Sequence, residues 1–331
     1  MALITGKVEF CVLCIQLTYI CFTEYVRIDS ATSEYSCIWC KCPSKEQYNP
    51  EKRWSLSDNA HGARTTEENL TLATGTRKKF NVSYPPLFRS IPLENVVTDN
   101  LHLFLRVSDV LIDLLILELK RQDAIDKVRS FSNFDINRYR HIDGYQTFVT
   151  SLGIPGFQFY VGRTSNKLKC RSLTGPEKLK VFRSINISEL LPSLGDSTVH
   201  RIQQLWNDFL GLHGTFCKRP NQITSTGIED FDKQAREWGK LFIQTYHDST
   251  VTPYIHALMN HVSEFMTLHG SILPFTQQGL EKCNDVTTKD FFRSTNHKGG
   301  VAFTTDHGKA ESTRVLKGFQ NLSQESLCCQ V

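Results

Sequence analysis

The middle of the chain alternates between apolar and polar positions with the period of an α-helix. After Asp99 or Asn100, either of which can cap a helix, apolar residues recur at three- and four-residue steps as far as Lys120. These positions are Leu103, Val107, Val110, Leu111, Leu114 and Leu117. Residues 197–212 and 228–246 show the same spacing. The pattern predicts a long, mostly buried helix followed by further amphipathic helices.

Shorter patterns predict the remaining regular elements. Residues 142–152 and 176–184 have helical spacing, and Pro176 suits the first position of the second helix. Residues 157–161 are typical of a strand, and residues 7–28 combine β-branched and aromatic side chains in partial alternation. We therefore expect two short strands at the start of the chain and an α+β fold that is mainly helical.

Proline, glycine and polar residues interrupt the pattern between residues 43 and 100, and periodicity fades after residue 296. We divide the chain accordingly into five portions. These are a β-rich portion with a cysteine pair (1–42), an extended connection over the surface (43–100), a helical portion with a basic segment (101–250), a portion with histidine- and glutamate-bearing helices (251–296) and a loose tail (297–331).

One predicted helix carries two histidines. It begins at Thr252-Pro253 and ends at Gly270, a residue that commonly terminates helices. His256 and His261 are five residues apart, which separates them by roughly 140° around a regular helix. Their rings can share one ion only at a distorted or terminal turn, so helical geometry alone favours ordinary core or surface histidines.

Cys37 and Cys40 form a Cys-x-x-Cys pair in Tyr35-Ser-Cys-Ile-Trp-Cys40. Two thiolates at this spacing can bind a metal, serve redox chemistry or simply pack. A redox role would need a following helix that lowers the thiol pKa, and the residues after Cys40 do not obviously begin one. Cys42 could replace either ligand. The pair alone leaves these possibilities open.

Composition narrows the class of protein. The chain has 331 residues, 40% hydrophobic content and a net charge of +4, which permits a sizeable core but does not by itself indicate a nucleic-acid partner. Its 11 cysteines lack the spacing of a small disulfide framework, which favours a reducing compartment. The apolar stretch at residues 10–22 is short for a membrane span, so we expect no membrane association.

Some acidic residues are candidates for chemistry. Glu281 follows the histidine helix, although a single glutamate on a new helix is usually solvated. Asp109 and Asp113 are one helical turn apart and Arg106 is near enough to neutralise them, which favours a structural role.

Four motifs in this order resemble one family. They are Tyr35-Ser-Cys-Ile-Trp-Cys40, Asp99-Asn-Leu-His-Leu-Phe-Leu-Arg106, Ile255-His-Ala-Leu-Met-Asn-His-Val-Ser-Glu264 and Gly279-Leu-Glu-Lys-Cys-Asn284. Together they resemble the catalytic core of Transib-type transposases and the related V(D)J recombination-activating recombinase. The resemblance covers residues 33–296 and is strongest at its two ends.

The resemblance implies a metal centre and a fold. In that family a Cys-x-x-Cys pair and a His-x4-His pair bind one structural zinc ion, which corresponds here to Cys37, Cys40, His256 and His261. It also implies a partial ribonuclease-H-like sheet with a large helical insertion, tied by the zinc ion to a later helical portion.

The resemblance also bears on catalysis. Family members hold two Mg²⁺ or Mn²⁺ ions with two strand aspartates upstream of the cysteine pair and one late glutamate, to which Glu281 corresponds. Before Ile28 the only acids are Glu9 and Glu24, neither in a family motif, and Asp29 is the nearest substitute. We expect a truncated or diverged copy without nuclease activity, because a hard-cation site needs several carboxylate oxygens.

Residual DNA affinity is the remaining expectation, together with a nuclear location and possible homodimer formation. Phosphate binding depends on distributed cations, and the most basic stretch supplies six. These are Lys167, Lys169, Arg171, Lys178, Lys180 and Arg183.

Two alternatives belong to other classes. The first is a non-catalytic, zinc-stabilised scaffold that binds DNA or protein, in the nucleus or the cytoplasm. The second is a secreted, cysteine-bearing binding protein, for which the sequons at Asn69, Asn81, Asn186 and Asn321 would matter.

Overall fold

The computed structural model describes residues 28–29, 31–57, 62–75, 79–87, 89–125, 134–162, 167–247, 251–279, 282–283, 286 and 289. The chain divides into two compact units, residues 1–280 and 281–331. In the second unit the four described residues are helical. The predicted strands at 7–27, the predicted catalytic Glu281 and the predicted tail at 297–331 lie outside the described residues.

The described residues of the first unit are mainly helical, as predicted, and include one small antiparallel sheet. The helices are α1 (Thr66–Ala73), α2 (Asn100–Gln122), α3 (Arg140–Ser151), α4 (Gly175–Ser184), α5 (Ile187–Leu190), α6 (Asp196–Phe216), α7 (Ser225–Tyr246), α8 (Pro253–Asn260) and α9 (Val262–His269). The strands are β1 (Phe159–Val161) and β2 (Leu168–Cys170). No helix among these residues combines the length and the apolar character needed to cross a membrane.

Helix α2 lies in the core, as its pattern predicts. The Asp99 carboxylate caps it by accepting hydrogen bonds from the backbone N–H groups of Leu101 and His102, which satisfies donors that a helix start otherwise leaves unpaired. Leu103, Val107 and Leu111 are fully buried. Helices α3, α4, α6 and α8 pack against it.

Helices α6 and α7 pack together and position the histidine-bearing α8. The Trp238 indole N–H donates to the carbonyl of Leu205 at 3.0 Å, so the largest side chain of α7 is both buried and hydrogen-bonded. At Gly239 an added Cβ would lie 2.5 Å from the terminal methyl carbon of Met259. Glycine at this position therefore lets α7 approach α8 closely.

Residues 43–100 are not simply a connection over the surface. They contain α1, whose start is capped by the Thr65 hydroxyl accepting from the Glu68 N–H at 3.0 Å. They also bury Trp54, Leu56 and Val97 in the core. Pro50 and Gly62 lie in turns, but the burial of this stretch depends on partners distant in the sequence.

The small sheet only partly matches the prediction. Residues 157–161 were expected to form a strand, and β1 occupies the last part of that range. Strand β1 pairs with β2, and Tyr160 lies directly opposite Lys169. Strand β2 belongs to the most basic stretch of the sequence. Before residue 43 the described residues contribute only two isolated bridges, Ile28 with Val82 and Cys40 with Ala63.

Candidate metal centre

The predicted histidine helix is interrupted at the second histidine. Helix α8 ends at Asn260, α9 begins at Val262, and His261 lies between them with φ −116° and ψ −26°. This break supplies the distorted turn that a five-residue spacing requires. Both imidazole rings are fully buried, with centroids 5.1 Å apart.

The cysteine pair meets these rings. The Sγ atom of Cys37 lies 3.4 Å from Nε2 of His261, across 224 residues of sequence, and Sγ of Cys40 lies 3.3 Å from Nε2 of His256, across 216 residues. The four atoms all lie within 4.8 Å of one another. Tetrahedral zinc would separate sulfur from nitrogen by about 3.5 Å, so the donor atoms fit such an ion.

This group of four is buried and consists entirely of protein side chains. Cys37 and Cys40 are 1% and 0% exposed, and both histidines are fully buried. Four protein ligands around one ion leave no position for water or substrate, which is typical of structural rather than catalytic sites. The group could therefore hold a metal ion that joins the cysteine segment to the α8–α9 junction.

The electrostatics of the group favour partial charge separation. Burial alone would lower the pKa of His261, but the negative charge of Cys37 and the carboxylate of Glu264 raise it to about 9. Burial likewise opposes charge on Cys37, yet its hydrogen bond with Cys40 and the His261 charge hold its pKa well below the usual value. Burial raises the pKa of Cys40 and lowers that of His256. Metal ligands bind in their deprotonated forms, so a bound cation would compete with the protons of this group.

Glu264 and Asn260 lie behind the histidines and hold the segment 54–56 against them. The Glu264 carboxylate is 3.5 Å from Nδ1 of His261, and it accepts hydrogen bonds from the Leu56 N–H at 2.9 Å and from the Ser55 hydroxyl. The Asn260 side-chain oxygen accepts from the Trp54 N–H at 3.2 Å. The Glu264 carboxylate therefore places a negative charge beside Nδ1 of His261, while Nε2 faces the cysteine sulfurs.

Arg64 is a structural residue of this site that the sequence did not reveal. Its side chain is 2% exposed and donates to four carbonyl oxygens of the surrounding loops, at distances of 2.8–3.1 Å. The carbonyls belong to Tyr35, Cys37, Cys40 and Phe80. An irregular loop lacks the internal hydrogen bonds of a helix or sheet, so Arg64 substitutes for them. No spacing rule links a single arginine to such a loop.

Cys42 is not part of the group. Its thiol is buried, donates to the Pro43 carbonyl at 3.5 Å, and has a pKa raised by burial. It therefore packs as a neutral side chain beside the loop.

The six basic candidates do not form one surface. Lys178 is 3% exposed and pairs with Asp109 at 2.6 Å, so its assignment to DNA contact is wrong. Arg171 is half-buried and pairs with Glu177 at 2.7 Å. The exposed members are Lys167, Lys169, Lys180 and Arg183.

The acidic candidates have structural partners. Asp29 accepts hydrogen bonds from the Asn81 amide at 3.1 Å and the Ser83 hydroxyl at 2.6 Å, which anchors it to a neighbouring loop. Asp109 is paired with Lys178, and burial together with Asp109 raises the pKa of Asp113. Among the residues that the structure describes, the only cluster of metal-binding side chains is the group of four.

Comparison with known proteins adds no assignment. No family model matches the sequence. No curated protein matches it either.

Proposed function

We propose that Cys37, Cys40, His256 and His261 bind a structural zinc ion in a transposon-derived, transposase-like protein that binds DNA without cleaving it. One observation carries this proposal: two cysteines and two histidines more than 200 residues apart meet in a buried group with zinc-ligand geometry. Zinc would cross-link the loop that carries Cys37 and Cys40, the cysteine loop, to the α8–α9 junction. The order of the motifs supports the relation to the family, including its partial ribonuclease-H-like sheet.

The same proposal explains the expected lack of cleavage. Two Mg²⁺ or Mn²⁺ ions, as used by the family, need several carboxylate oxygens close together. Glu281 is the one family carboxylate with a matching position in this sequence, and Asp29 is committed to Asn81 and Ser83. DNA affinity depends instead on exposed cations, which Lys180 and Arg183 provide on α4. Such a protein would act in the nucleus.

A plasmid assay tests both parts of the proposal. We expect the zinc-loaded full chain to retard supercoiled plasmid on a gel at low salt, and to leave it supercoiled after incubation with Mg²⁺ or Mn²⁺. Retardation should weaken steeply as salt rises, because phosphate contacts release counterions. Metal-dependent nicking would contradict the proposed loss of catalysis.

A variant without two of the exposed charges tests the proposed DNA contacts, and a second variant serves as its control. Lys180→Ala combined with Arg183→Ala should weaken retardation, whereas Lys52→Ala, which removes an exposed lysine paired with Glu46, should not. If the wild-type chain does not retard plasmid at any salt concentration, the zinc-stabilised scaffold that binds protein becomes the better description.

Glu264 provides a separate test of the zinc assignment. Glu264→Gln keeps the size of the side chain but removes the charge facing His261, so zinc affinity should fall about 10–100-fold. Competition with a chromogenic chelator measures this directly. Glu94→Gln, at a glutamate whose backbone carbonyl rather than its carboxylate contacts His269, is the matched control and should leave zinc affinity unchanged.

A further inference from the structure

The hairpin β1–β2 presents an aromatic and a basic side chain together. Tyr160 and Lys169 are directly opposite each other in the register, and both point away from the buried face formed by Phe159 and Leu168. Tyr160 is 44% exposed, so its ring is accessible to a ligand. Lys167 is a further exposed cation at the start of β2.

A cavity of about 370 Å³ lies between this hairpin and α2. Its size falls within the usual range for small-ligand sites. Tyr160, Lys169 and Arg171 line it from the hairpin, and Asp113 and Lys120 line it from α2. The cavity therefore has an aromatic wall and cationic groups within reach of one ligand.

The charges in the cavity favour an anion near its hairpin side. On the α2 side, Lys178 neutralises Asp109 at 2.6 Å, and Lys120 donates to the Leu168 carbonyl at 3.1 Å while acting electrostatically on Asp113. Burial and Asp109 raise the pKa of Asp113, and the Lys120 and Lys178 charges oppose that rise. On the hairpin side, Lys169 is exposed and has no ion-pair partner among the described side chains.

We infer that the hairpin and its cavity bind single-stranded DNA, with Tyr160 stacking on a base and Lys169 contacting a phosphate. An aromatic ring beside a cation is the arrangement that proteins use to bind unpaired strands, because every base has a face that can stack. A base paired within a duplex cannot offer that face without leaving its own stack. The inference deepens the proposed DNA affinity by giving it a place and a form of DNA.

Fluorescence anisotropy of a labelled oligothymidylate with the zinc-loaded full chain tests this inference. Tyr160→Ala should weaken binding about tenfold or more, since stacking contributes on that scale per base. Tyr160→Phe should bind as the wild type does, because stacking needs the ring and not the hydroxyl. Lys169→Ala should weaken binding and reduce the slope of log affinity against log salt by about 0.7.

Tyr84→Ala is the matched control, because Tyr84 is 63% exposed and lies outside the hairpin. Equal affinity of wild type and Tyr160→Ala, or an equal loss in Tyr160→Phe, would overturn the inference. If the Tyr160 variants contradict the inference while the same preparation still retards plasmid, only the hairpin site is excluded and the proposed affinity for duplex DNA remains. If neither DNA binds, both proposals fail.

Discussion

Replacing His261 by alanine is expected to destabilise the protein by about 3–5 kcal/mol, the usual cost of removing one partner from a buried charge pair. The substitution removes a zinc ligand and leaves the Cys37 sulfur, 3.4 Å from the lost ring, in a fully buried position. The midpoint of thermal unfolding should fall by about 4–8 °C, because the entropy of unfolding grows with the length of the chain. Differential scanning calorimetry of the zinc-loaded protein measures the change.

His269→Ala is the matched control for this prediction. His269 is the last residue of α9, is half-buried, and contacts the Glu94 carbonyl at 3.2 Å, so its loss should cost only about 1 kcal/mol. Chelation separates a metal effect from a packing effect. With zinc removed by a chelator, the wild type should unfold near the temperature of His261→Ala. If the difference in unfolding temperature between the two proteins is as large in chelator as with zinc, the His261 ring stabilises the protein by packing alone.

The helices were predictable because their signals are local. Apolar spacing on α2 and the proline at the start of α8 both act within a few residues. Helix α2 begins where expected and ends two residues beyond Lys120, and α8 begins at Pro253 as expected but ends at Asn260 instead of near Gly270. Helix α1 was missed because it has eight residues and little apolar periodicity. Its place in the fold depends on Thr65 and on contacts with distant residues.

The metal centre was predictable from a different kind of information. The spacing of His256 and His261 argued against a shared ion on a regular helix, and only the order of four motifs favoured it. The structure resolves this conflict by ending α8 at Asn260 and starting α9 at Val262. Neither Arg64 nor Glu264 was predicted. Arg64 acts through contacts that sequence spacing does not encode, whereas Glu264 lies three residues after His261, a spacing that places side chains together on a helix.

The burial of side chains also changes which basic residues can contact DNA. Lys178 looks like its neighbours in the sequence, yet it donates to Asp109 and to the Leu105 carbonyl from inside the core. Charge counting along a chain cannot separate such a lysine from Lys180, which is exposed two residues later. A helix face turns by roughly 100° per residue, so neighbouring cations need not share a surface.

Arg64→Met should be the most damaging substitution outside the metal ligands. Its guanidinium holds the Cys37 and Cys40 carbonyls at 3.0 Å each, together with two further carbonyls. Without it, buried carbonyl oxygens lose their donors at about 1–3 kcal/mol apiece, although water entering the relaxed loop would recover part of this. We expect a loss of about 3–5 kcal/mol in the free energy of unfolding, measured by urea denaturation.

Arg64→Lys distinguishes hydrogen-bond geometry from charge. Lysine keeps the positive charge but cannot reproduce the planar fork that reaches several carbonyls at once, so it should recover less than half of the lost stability. Arg121→Ala removes an exposed arginine paired only with Glu118 at 3.3 Å, and it should change stability by less than about 1 kcal/mol. Zinc affinity should fall in both Arg64 variants, because the two thiolates are held by the loop that Arg64 organises. Full stability in Arg64→Lys would mean that charge, rather than the four directed hydrogen bonds, stabilises the cysteine loop.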